Sequence, residues 1–260
     1  MSATSTPAQV GDEPLLIKQR TGAPVMVGRD RAATGRALLA AHPEVDILLT
    51  DDGLQHYKLQ RDVEIILFDG RGAGNGWLLP AGPLREPVSR RRDFTVINAP
   101  ALTDELVRAV QPGKAGSDPM RGQTPMMQAV PFQMTLVGEH AEQLRDRTRK
   151  QPLAELAAHP ELRIAAAAGI GNPARFFGML KGAGLRITEL PLPDHHDFQD
   201  RPFAGLEADL ILMTEKDAVK CAQIEELSDD PRLWVVPVTA RIDRALADQI
   251  VEKCRGRSIA

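Results

Sequence analysis

The chain has 260 residues, of which 43% are hydrophobic and 26% charged, and its formal net charge is -3. This composition is typical of a soluble globular protein with one large or two smaller domains, and the weak negative charge gives no reason to expect a nucleic-acid partner. The two cysteines, Cys221 and Cys254, match no metal-binding or disulfide pattern, which indicates a reducing compartment. No apolar run approaches the roughly 18–20 residues that span a membrane, and the N-terminus lacks the features of a signal peptide. We therefore expect a chain that is soluble as written and cytoplasmic.

The first half of the chain alternates predicted strands with helix-length segments. The acidic pair Asp12-Glu13 precedes Pro14 and, taken alone, is best explained as the start of a helix. A second helix is predicted at 32–42. The predicted strands lie at 24–27, 45–50, 63–68 and 94–98. This alternation predicts an α/β sheet.

Two carboxylates, Asp51 and Asp52, directly follow the apolar run at 47–49. Such a run is typical of a buried strand in a parallel sheet, and ligands collect at the carboxyl ends of these strands. A pair of hard oxygen ligands there can hold Mg²⁺ beside a phosphate, as a Walker B strand does. The alternative is a plain turn, since Asp and Gly are common turn residues. Gln55 and His56 favour the functional interpretation because they add polar groups where a turn needs few.

The segment at 74–87 is rich in Gly, Ala and Pro and is predicted to be a long irregular loop. Loops of this length beside a sheet edge are often functional. Arg85 is suited to a phosphate, and Glu86 to a metal or a partner arginine. A linker is predicted at 111–128, which is rich in Gly, Pro, Ser and Met.

The second half of the chain predicts another α/β unit. Its predicted strands lie at 132–137, 162–168, 185–190, 210–213 and 233–238, with helices at 152–158, at 174–181, after Asp217 and from about Asp243. We predict a first domain at 1–125, a linker with connecting strands at 126–160, and a second domain at 161–260.

Polar residues follow three strands of this second half. The turn at 169–173 is similar to a phosphate cradle but lacks the full glycine motif and any Lys-Ser/Thr. The cluster at 194–197, Asp-His-His-Asp, has no third ligand at a zinc-like spacing, so we favour acid–base or charge-orienting work for its histidines. Thr214 to Asp217 forms either a polar edge or a helix cap, and the cap leaves Lys216 poorly explained.

Together these motifs resemble a known family. The segments at 11–14, 51–56, 74–87, 169–177, 194–195 and 213–220 occur in the order seen in tetraacyldisaccharide 4'-kinases, the lipid A 4'-kinases of Gram-negative bacteria. The resemblance implies two α/β domains joined by a linker, the first of them P-loop NTPase-like and incomplete here. It also implies ATP- and Mg²⁺-dependent phosphorylation of the 4'-hydroxyl of a lipid A tetraacyl-disaccharide 1-phosphate, at the cytoplasmic face of the inner membrane.

The resemblance also implies a role for each matching residue. Asp12 would accept the proton of the attacking hydroxyl, and His195 would hold or charge Asp12. Asp51 and Asp52 would bind Mg²⁺, which offsets the charge that develops on the phosphates. The implied nucleotide- and phosphate-binding residues are Gln55, His56, Arg31, Arg85 and Glu86.

One departure from the family concerns the N-terminus. Family members carry a membrane-contacting helix and a P-loop with Gly-Lys-Thr upstream of the Gly-Asp-Glu-Pro motif, whereas this chain has about nine unrelated residues there. The P-loop holds the β- and γ-phosphates during transfer. We therefore expect a truncated kinase, from a misplaced start codon or a gene fragment, that is inactive as written and poorly folded because apolar surface is exposed.

Two other classes remain open. A non-catalytic α/β module would bind the acylated disaccharide phosphate without binding ATP. An unrelated nucleotide or sugar enzyme would use the turn at 169–173, and a dinucleotide would protect that turn.

Overall fold

The computed structural model describes residues 5–111 and 130–255, which form two compact units. Unit 1 comprises Met1–Val45 and Val137–Thr239, and unit 2 comprises Asp46–Leu136 and Ala240–Ala260. This division differs from the predicted domains, because the first 45 residues group with the second half of the chain and the last 21 with the first half. Apart from Gln111, the predicted linker lies outside the described residues.

Helices and strands alternate along most of the described chain. The helices are α1 (Pro7–Val10), α2 (Asp12–Thr21), α3 (Arg31–Ala41), α4 (Asp104–Val110), α5 (Leu153–Ala157), α6 (Pro173–Gly182), α7 (Glu215–Cys221), α8 (Glu225–Ser228) and α9 (Ala245–Cys254). The strands are β1 (Ile65–Asp69), β2 (Phe94–Asn98), β3 (Phe132–Val137), β4 (His140–Gln143), β5 (Lys150–Pro152), β6 (Ile164–Ala168), β7 (Ile187–Pro191), β8 (Leu210–Thr214), β9 (Leu233–Val236) and β10 (Thr239–Ile242). The predicted α/β class is confirmed.

Unit 1 is built on a six-stranded sheet in the order β5-β4-β9-β8-β6-β7. Strands β6 to β9 run parallel, while β4 runs antiparallel to both β9 and β5. Every residue of β6 is buried, and its alternate alanines enter two different clusters. Ala166 packs with Phe177 of α6, and Ala165 with Phe203 from the loop after β7. Both faces of this sheet are therefore covered, as the continuous apolar run predicts.

Unit 2 contains a four-stranded sheet in the order β1-β2-β3-β10, in which β1, β2 and β3 run parallel. Ile97 and Phe68 pack with Val110 of α4 on one side. Phe94, at the start of β2, packs in a separate cluster with Leu246 of α9. Alternate residues of β2 thus bury opposite faces of the sheet.

Two predicted strands, at 24–27 and 45–50, are wrong. Both segments lack strand structure, and neither pairs with a strand among the described residues. A strand needs a neighbour to satisfy its backbone and to cover its side chains. Without one, Leu49 is 88% exposed. The predicted Walker B strand is therefore not observed, and Asp51 and Asp52 follow an unpaired segment.

Candidate functional site

The Asp12 carboxylate of unit 1 is held at the start of α2. Gly11 precedes it with φ 90°, a conformation that favours glycine, and lets the chain turn into the helix. Asp12 is only 8% exposed, and its Oδ1 accepts the Glu13 backbone N–H at 3.0 Å. Its Oδ2 lies 3.6 Å from Nδ1 of His195. The residue thus begins a helix, as its sequence context predicts, and also meets the histidine that was predicted to work with it.

His195 is presented by the loop that follows β7. Its φ is 59°, and its backbone N–H donates to the Gly169 carbonyl at 3.2 Å and to Asp194 Oδ1 at 3.0 Å. The imidazole remains 66% exposed. A histidine fixed through its backbone and open through its ring can orient a carboxylate while facing a substrate.

A lysine beside Asp12, and an aspartate that contacts this lysine, were not assigned a role from the sequence. Lys220 of α7 places its Nζ 3.9 Å from Asp12 Oδ2 and 3.5 Å from Asp217 Oδ1. Asp217 is fully buried, and its Oδ2 accepts the Gly169 N–H at 3.0 Å and the Thr214 hydroxyl at 2.7 Å. The signal in the sequence was the three-residue spacing of Asp217 and Lys220, which places both on one face of a helix.

Lys216 now has an explanation that the helix cap did not give. Its Nζ donates to Glu13 Oε1 at 3.0 Å. Burial opposes the charged form, but the hydrogen bond to Glu13 and the charges of Asp12, Glu13 and Asp194 raise the pKa of Lys216. Thr214 still caps α7, since its hydroxyl accepts the Asp217 N–H. The segment is therefore both a helix cap and a polar edge.

His196 contacts its own loop. Its Nδ1 accepts the Phe198 N–H at 3.1 Å, and its Nε2 lies 3.3 Å from Asp200. Its ring packs edge-on against the Phe198 ring, with centroids 4.8 Å apart. His196 therefore stabilises the loop that presents His195.

Unit 2 gathers four of the remaining predicted residues into two contacts. Arg85 Nη1 donates to Asp52 Oδ2 at 3.3 Å, and both side chains are exposed. Gln55 Nε2 donates to Glu86 Oε1 at 3.5 Å. Asp52 has φ 52°, a left-handed conformation that Asp tolerates better than most residues. Loop and turn residues that are distant in sequence thus meet here.

Glu86 is the centre of a wider network, and Arg90 is the kind of arginine partner that the sequence predicted for it. The Tyr57 hydroxyl donates to Glu86, and Arg90 lies 3.3 Å from the same carboxylate. The hydrogen bond from Tyr57, followed by the Arg90 charge, lowers the pKa of Glu86 in spite of some desolvation. Arg90 also binds Glu64 through two nitrogens at 2.7 and 3.0 Å. This pairing orients the segment that carries Arg85 and Glu86.

Three predicted residues make fewer contacts. His56 donates its backbone N–H to the Gly53 carbonyl at 3.0 Å, and Asp51 is exposed. Arg31 lies in unit 1 at the start of α3 and donates to the Gly28 carbonyl at 2.8 Å. Among the described residues, no group of three or more His, Cys, Asp or Glu side chains is arranged to hold a metal ion.

The profile of the Tetraacyldisaccharide-1-P 4'-kinase family matches residues 1–255. The tetraacyldisaccharide 4'-kinase of Janthinobacterium sp. (strain Marseille) is 60% identical over 97% of this chain and 67% of its own length. The enzyme of the same name from Herminiimonas arsenicoxydans is 57% identical over 97% of this chain and 68% of its own. The chain belongs to the tetraacyldisaccharide 4'-kinase family.

A solved structure supports the same conclusion. The crystal structure of LpxK from Aquifex aeolicus in complex with ATP matches with a TM-score of 0.67 and 25% identity, over 96% of this chain and 71% of that one. The family resemblance that the motifs carried is confirmed, and the chain is a member of a kinase family whose enzymes are transferases of lipid A biosynthesis. The comparisons lend no support to the expected inactivity of this chain.

Proposed function

We propose that this chain transfers the γ-phosphate of ATP to the 4'-hydroxyl of a lipid A tetraacyl-disaccharide 1-phosphate. This proposal replaces the inactivity expected from the sequence, because the 4'-kinase family model matches residues 1–255. The crystal structure of the Aquifex aeolicus relative contains ATP. The observation that carries the proposal is the contact between Asp12 Oδ2 and His195 Nδ1 at 3.6 Å. A carboxylate beside an imidazole provides the acid–base pair that an attacking hydroxyl requires.

In this reaction Asp12 accepts the proton of the 4'-hydroxyl as the oxygen attacks phosphorus. His195 orients the carboxylate through its Nδ1. Oδ1 of Asp12 accepts the Glu13 backbone N–H, and Oδ2 lies beside the histidine. Because each oxygen has its own partner, the carboxylate has a defined orientation.

The polar residues of unit 2 suit the phosphates and their metal. Asp51 and Asp52 present exposed carboxylates, which are the hard oxygen donors that Mg²⁺ prefers, and they would hold the ion beside the phosphates. When bound, Mg²⁺ neutralises charge on the transferring phosphate. Arg85, now paired with Asp52, offers a guanidinium to the same phosphates. Gln55, His56 and Glu86 support this segment, and Arg31 is proposed for a phosphate from unit 1.

The test is a kinase assay with ATP, Mg²⁺ and the acylated disaccharide 1-phosphate, on the wild-type chain and on Asp12→Asn. We expect phosphate transfer by the wild type and a loss of about 10²- to 10⁴-fold in kcat for the variant, with ATP affinity unchanged. Glu13→Gln is the matched control, since Glu13 lies in the same helical turn and pairs with Lys216 instead. Equal loss of turnover and ATP binding in Asp12→Asn would make Asp12 structural or metal-binding. Lipid binding by the wild type without transfer would instead favour the non-catalytic module.

We also propose that the chain meets its acylated substrate at the inner-membrane surface. In the described residues no helix is long and apolar enough to cross a bilayer. The loop of unit 2 exposes Trp77 by 66% and Leu79 by 60%, and aromatic and apolar side chains of this kind partition to membrane interfaces. Flotation with anionic lipid vesicles should recover the wild type and less of Trp77→Ser. Equal recovery would place membrane contact elsewhere.

A further inference from the structure

Lys220 occupies an unusual position for a lysine. Its side chain is only 13% exposed, and its Nζ makes no hydrogen bond within the described residues. The Nζ lies 5.5 Å from the centre of the Phe198 ring, which covers it on one side. A buried ammonium is costly unless opposite charge compensates it. Two carboxylates supply that charge, Asp12 at 3.9 Å and Asp217 at 3.5 Å.

The two carboxylates differ in how firmly they are held. Asp217 has no exposed surface, and its Oδ2 is fixed by the Gly169 N–H and the Thr214 hydroxyl. Its Oδ1 has no hydrogen-bond partner within the described residues, and Lys220 is the cation beside it. Asp217 therefore anchors the lysine from the interior of unit 1. The lysine in turn lies against Oδ2 of Asp12, the same oxygen that faces His195.

A second lysine on α7 shows that this arrangement is selective. Lys216, one turn earlier, donates to Glu13, whereas Lys220 lies beside Asp12. The adjacent acids at the start of α2 are thus divided between two lysines of one helix. Lys216 reaches the exposed acid and Lys220 the buried one.

We infer that Lys220, anchored by Asp217, is a positioning residue that holds the Asp12 carboxylate against His195. The inference rests on the proposed function, in which Asp12 is the base. It assigns Lys220 no contact with the substrate. Its charge keeps Oδ2 in place and compensates a carboxylate that would otherwise be buried without a cation.

The primary experiment measures the accessibility of individual carboxyl groups and needs no turnover. The folded chain is labelled with a carbodiimide and glycine ethyl ester, and each site is quantified by fragmentation mass spectrometry. We expect Lys220→Met to raise labelling of Asp12 about threefold and to leave Glu13 unchanged. The matched control Lys216→Met should raise labelling of Glu13 and leave Asp12 unchanged. Labelling of Glu142, a buried acid of unit 1 that does not contact Lys220, reports whether unit 1 stays folded.

Conservative variants keep the test decisive. Lys220→Arg retains the charge and should restore most of the protection of Asp12. Asp217→Asn retains the lysine but removes its anchor, and should raise Asp12 labelling as well, even if Lys220→Met fails to fold. Wild-type labelling of Asp12 in both Lys220→Met and Asp217→Asn would overturn the inference.

Kinetics separate this inference from the proposed function. With phosphate transfer by the wild type, Lys220→Met should lose about ten- to a hundredfold in kcat while KM for ATP stays within about twofold. An unchanged kcat would overturn the positioning role. Absence of transfer by the wild type would contradict the proposed function, and the labelling results would still decide whether Lys220 positions Asp12.

Discussion

Gly169 shows how a single residue can determine the geometry of the candidate site. A Cβ at this position would lie 3.0 Å from Asp217 Oδ1, 3.1 Å from His196 Cβ and 3.2 Å from the Pro193 carbonyl oxygen. All three contacts are closer than ordinary packing distances. The same residue donates its N–H to Asp217 and accepts the His195 N–H. Gly169 is therefore required for close approach of the backbone, and the phosphate-cradle interpretation of this turn is not needed to explain it.

Gly169→Ala should destabilise unit 1 by about 1–3 kcal/mol, because the added methyl must displace Asp217, His196 or the backbone at Pro193. Urea unfolding followed by tryptophan fluorescence, with Trp234 in unit 1, measures the change. Gly178→Ala is the matched control, since Gly178 lies within α6 and a Cβ there meets no atom within 4 Å. It should be neutral or stabilising by up to about 1 kcal/mol. Equal stability of the two variants would show that the turn relaxes freely.

The sequence identified individual residues of the candidate site but predicted few of the contacts between them. The meeting of Asp12 with His195 was expected only through the family resemblance, since 183 positions separate the two residues. The pairing of Arg85 with Asp52 was likewise not visible in composition or spacing. The sequence analysis assigned no role to Lys220, because a lysine near the end of a short helix is usually exposed to solvent. Its burial depends on α2 lying against α7, which is a long-range property.

Among the secondary-structure elements, the antiparallel pair β4 and β5 is held by a buried acid. Glu142 is 7% exposed and lies opposite Lys150 in the ladder. Its carboxylate binds Lys150 at 2.7 Å, Arg147 at 2.6 Å and His140 at 2.9 Å. Burial raises the pKa, but these hydrogen bonds outweigh it and lower the pKa of Glu142 to about 2. The folded-state pKa therefore lies below the unfolded value of 4.5.

This shift predicts an acid-dependent contribution to stability. A carboxyl with a lowered folded-state pKa stabilises the protein fully above pH 4.5, and the contribution is lost as the pH falls from there toward 2. Glu142→Gln should therefore be less stable than wild type by about 1–3 kcal/mol at pH 7, since the exposed lysine and arginine partners weaken the effect. The difference should shrink as the pH approaches 2. Urea unfolding across this range measures it.

Glu207→Gln provides the matched control for this acid. The Glu207 side chain is 88% exposed, and its Oε2 lies 3.4 Å from Arg163 Nη1. Its substitution should change stability by less than about 0.5 kcal/mol at every pH. A constant difference between wild type and Glu142→Gln from pH 7 to pH 2 would contradict the role assigned to the charge.

Strands were predicted correctly where an apolar run pairs with neighbouring strands and is buried. They were predicted wrongly where the run has no neighbouring strand. The runs that became β2 and β3 were placed with their observed bounds, and those that became β6 and β8 within two residues. The short hairpin β4–β5 was missed because its polar residues pair through side chains such as Glu142. The segments at 24–27 and 45–50 have the composition of strands but no adjacent strand in the described chain. Composition predicts what a segment can form, whereas pairing decides whether it forms.

For the molecule as a whole, the two units are discontinuous in sequence. The chain passes from unit 1 to unit 2 after Val45, returns after Leu136, and leaves again after Thr239. Helix α2 belongs to unit 1 because Arg20 pairs with Glu215 at 3.0 Å and Lys216 pairs with Glu13. A prediction based on composition divides a chain into consecutive blocks, so it could not assign the two ends to the opposite units.

The C-terminal helix α9 gives a test of this assignment. Leu246 is 7% exposed and packs with Phe94 and Val96 of β2, and Lys253 binds Asp93 at 2.9 Å. Leu246→Ala should remove about 2–3 kcal/mol from unit 2, because the cavity lies beneath its sheet. Hydrogen exchange of β2 amides that open by unfolding of this unit should then accelerate by about 30- to 160-fold.

Strand β6 of unit 1 serves as the internal reference, and its exchange should stay at the wild-type rate. Val251→Ala is the matched variant, since Val251 lies on the same helix but is 46% exposed, and it should leave both strands unchanged. If exchange accelerated more in β6 than in β2, α9 would stabilise unit 1, and its assignment to unit 2 would be wrong. Equal acceleration in the two strands would show that the units unfold in one step, and the free energy measured for Gly169→Ala would then refer to the whole chain.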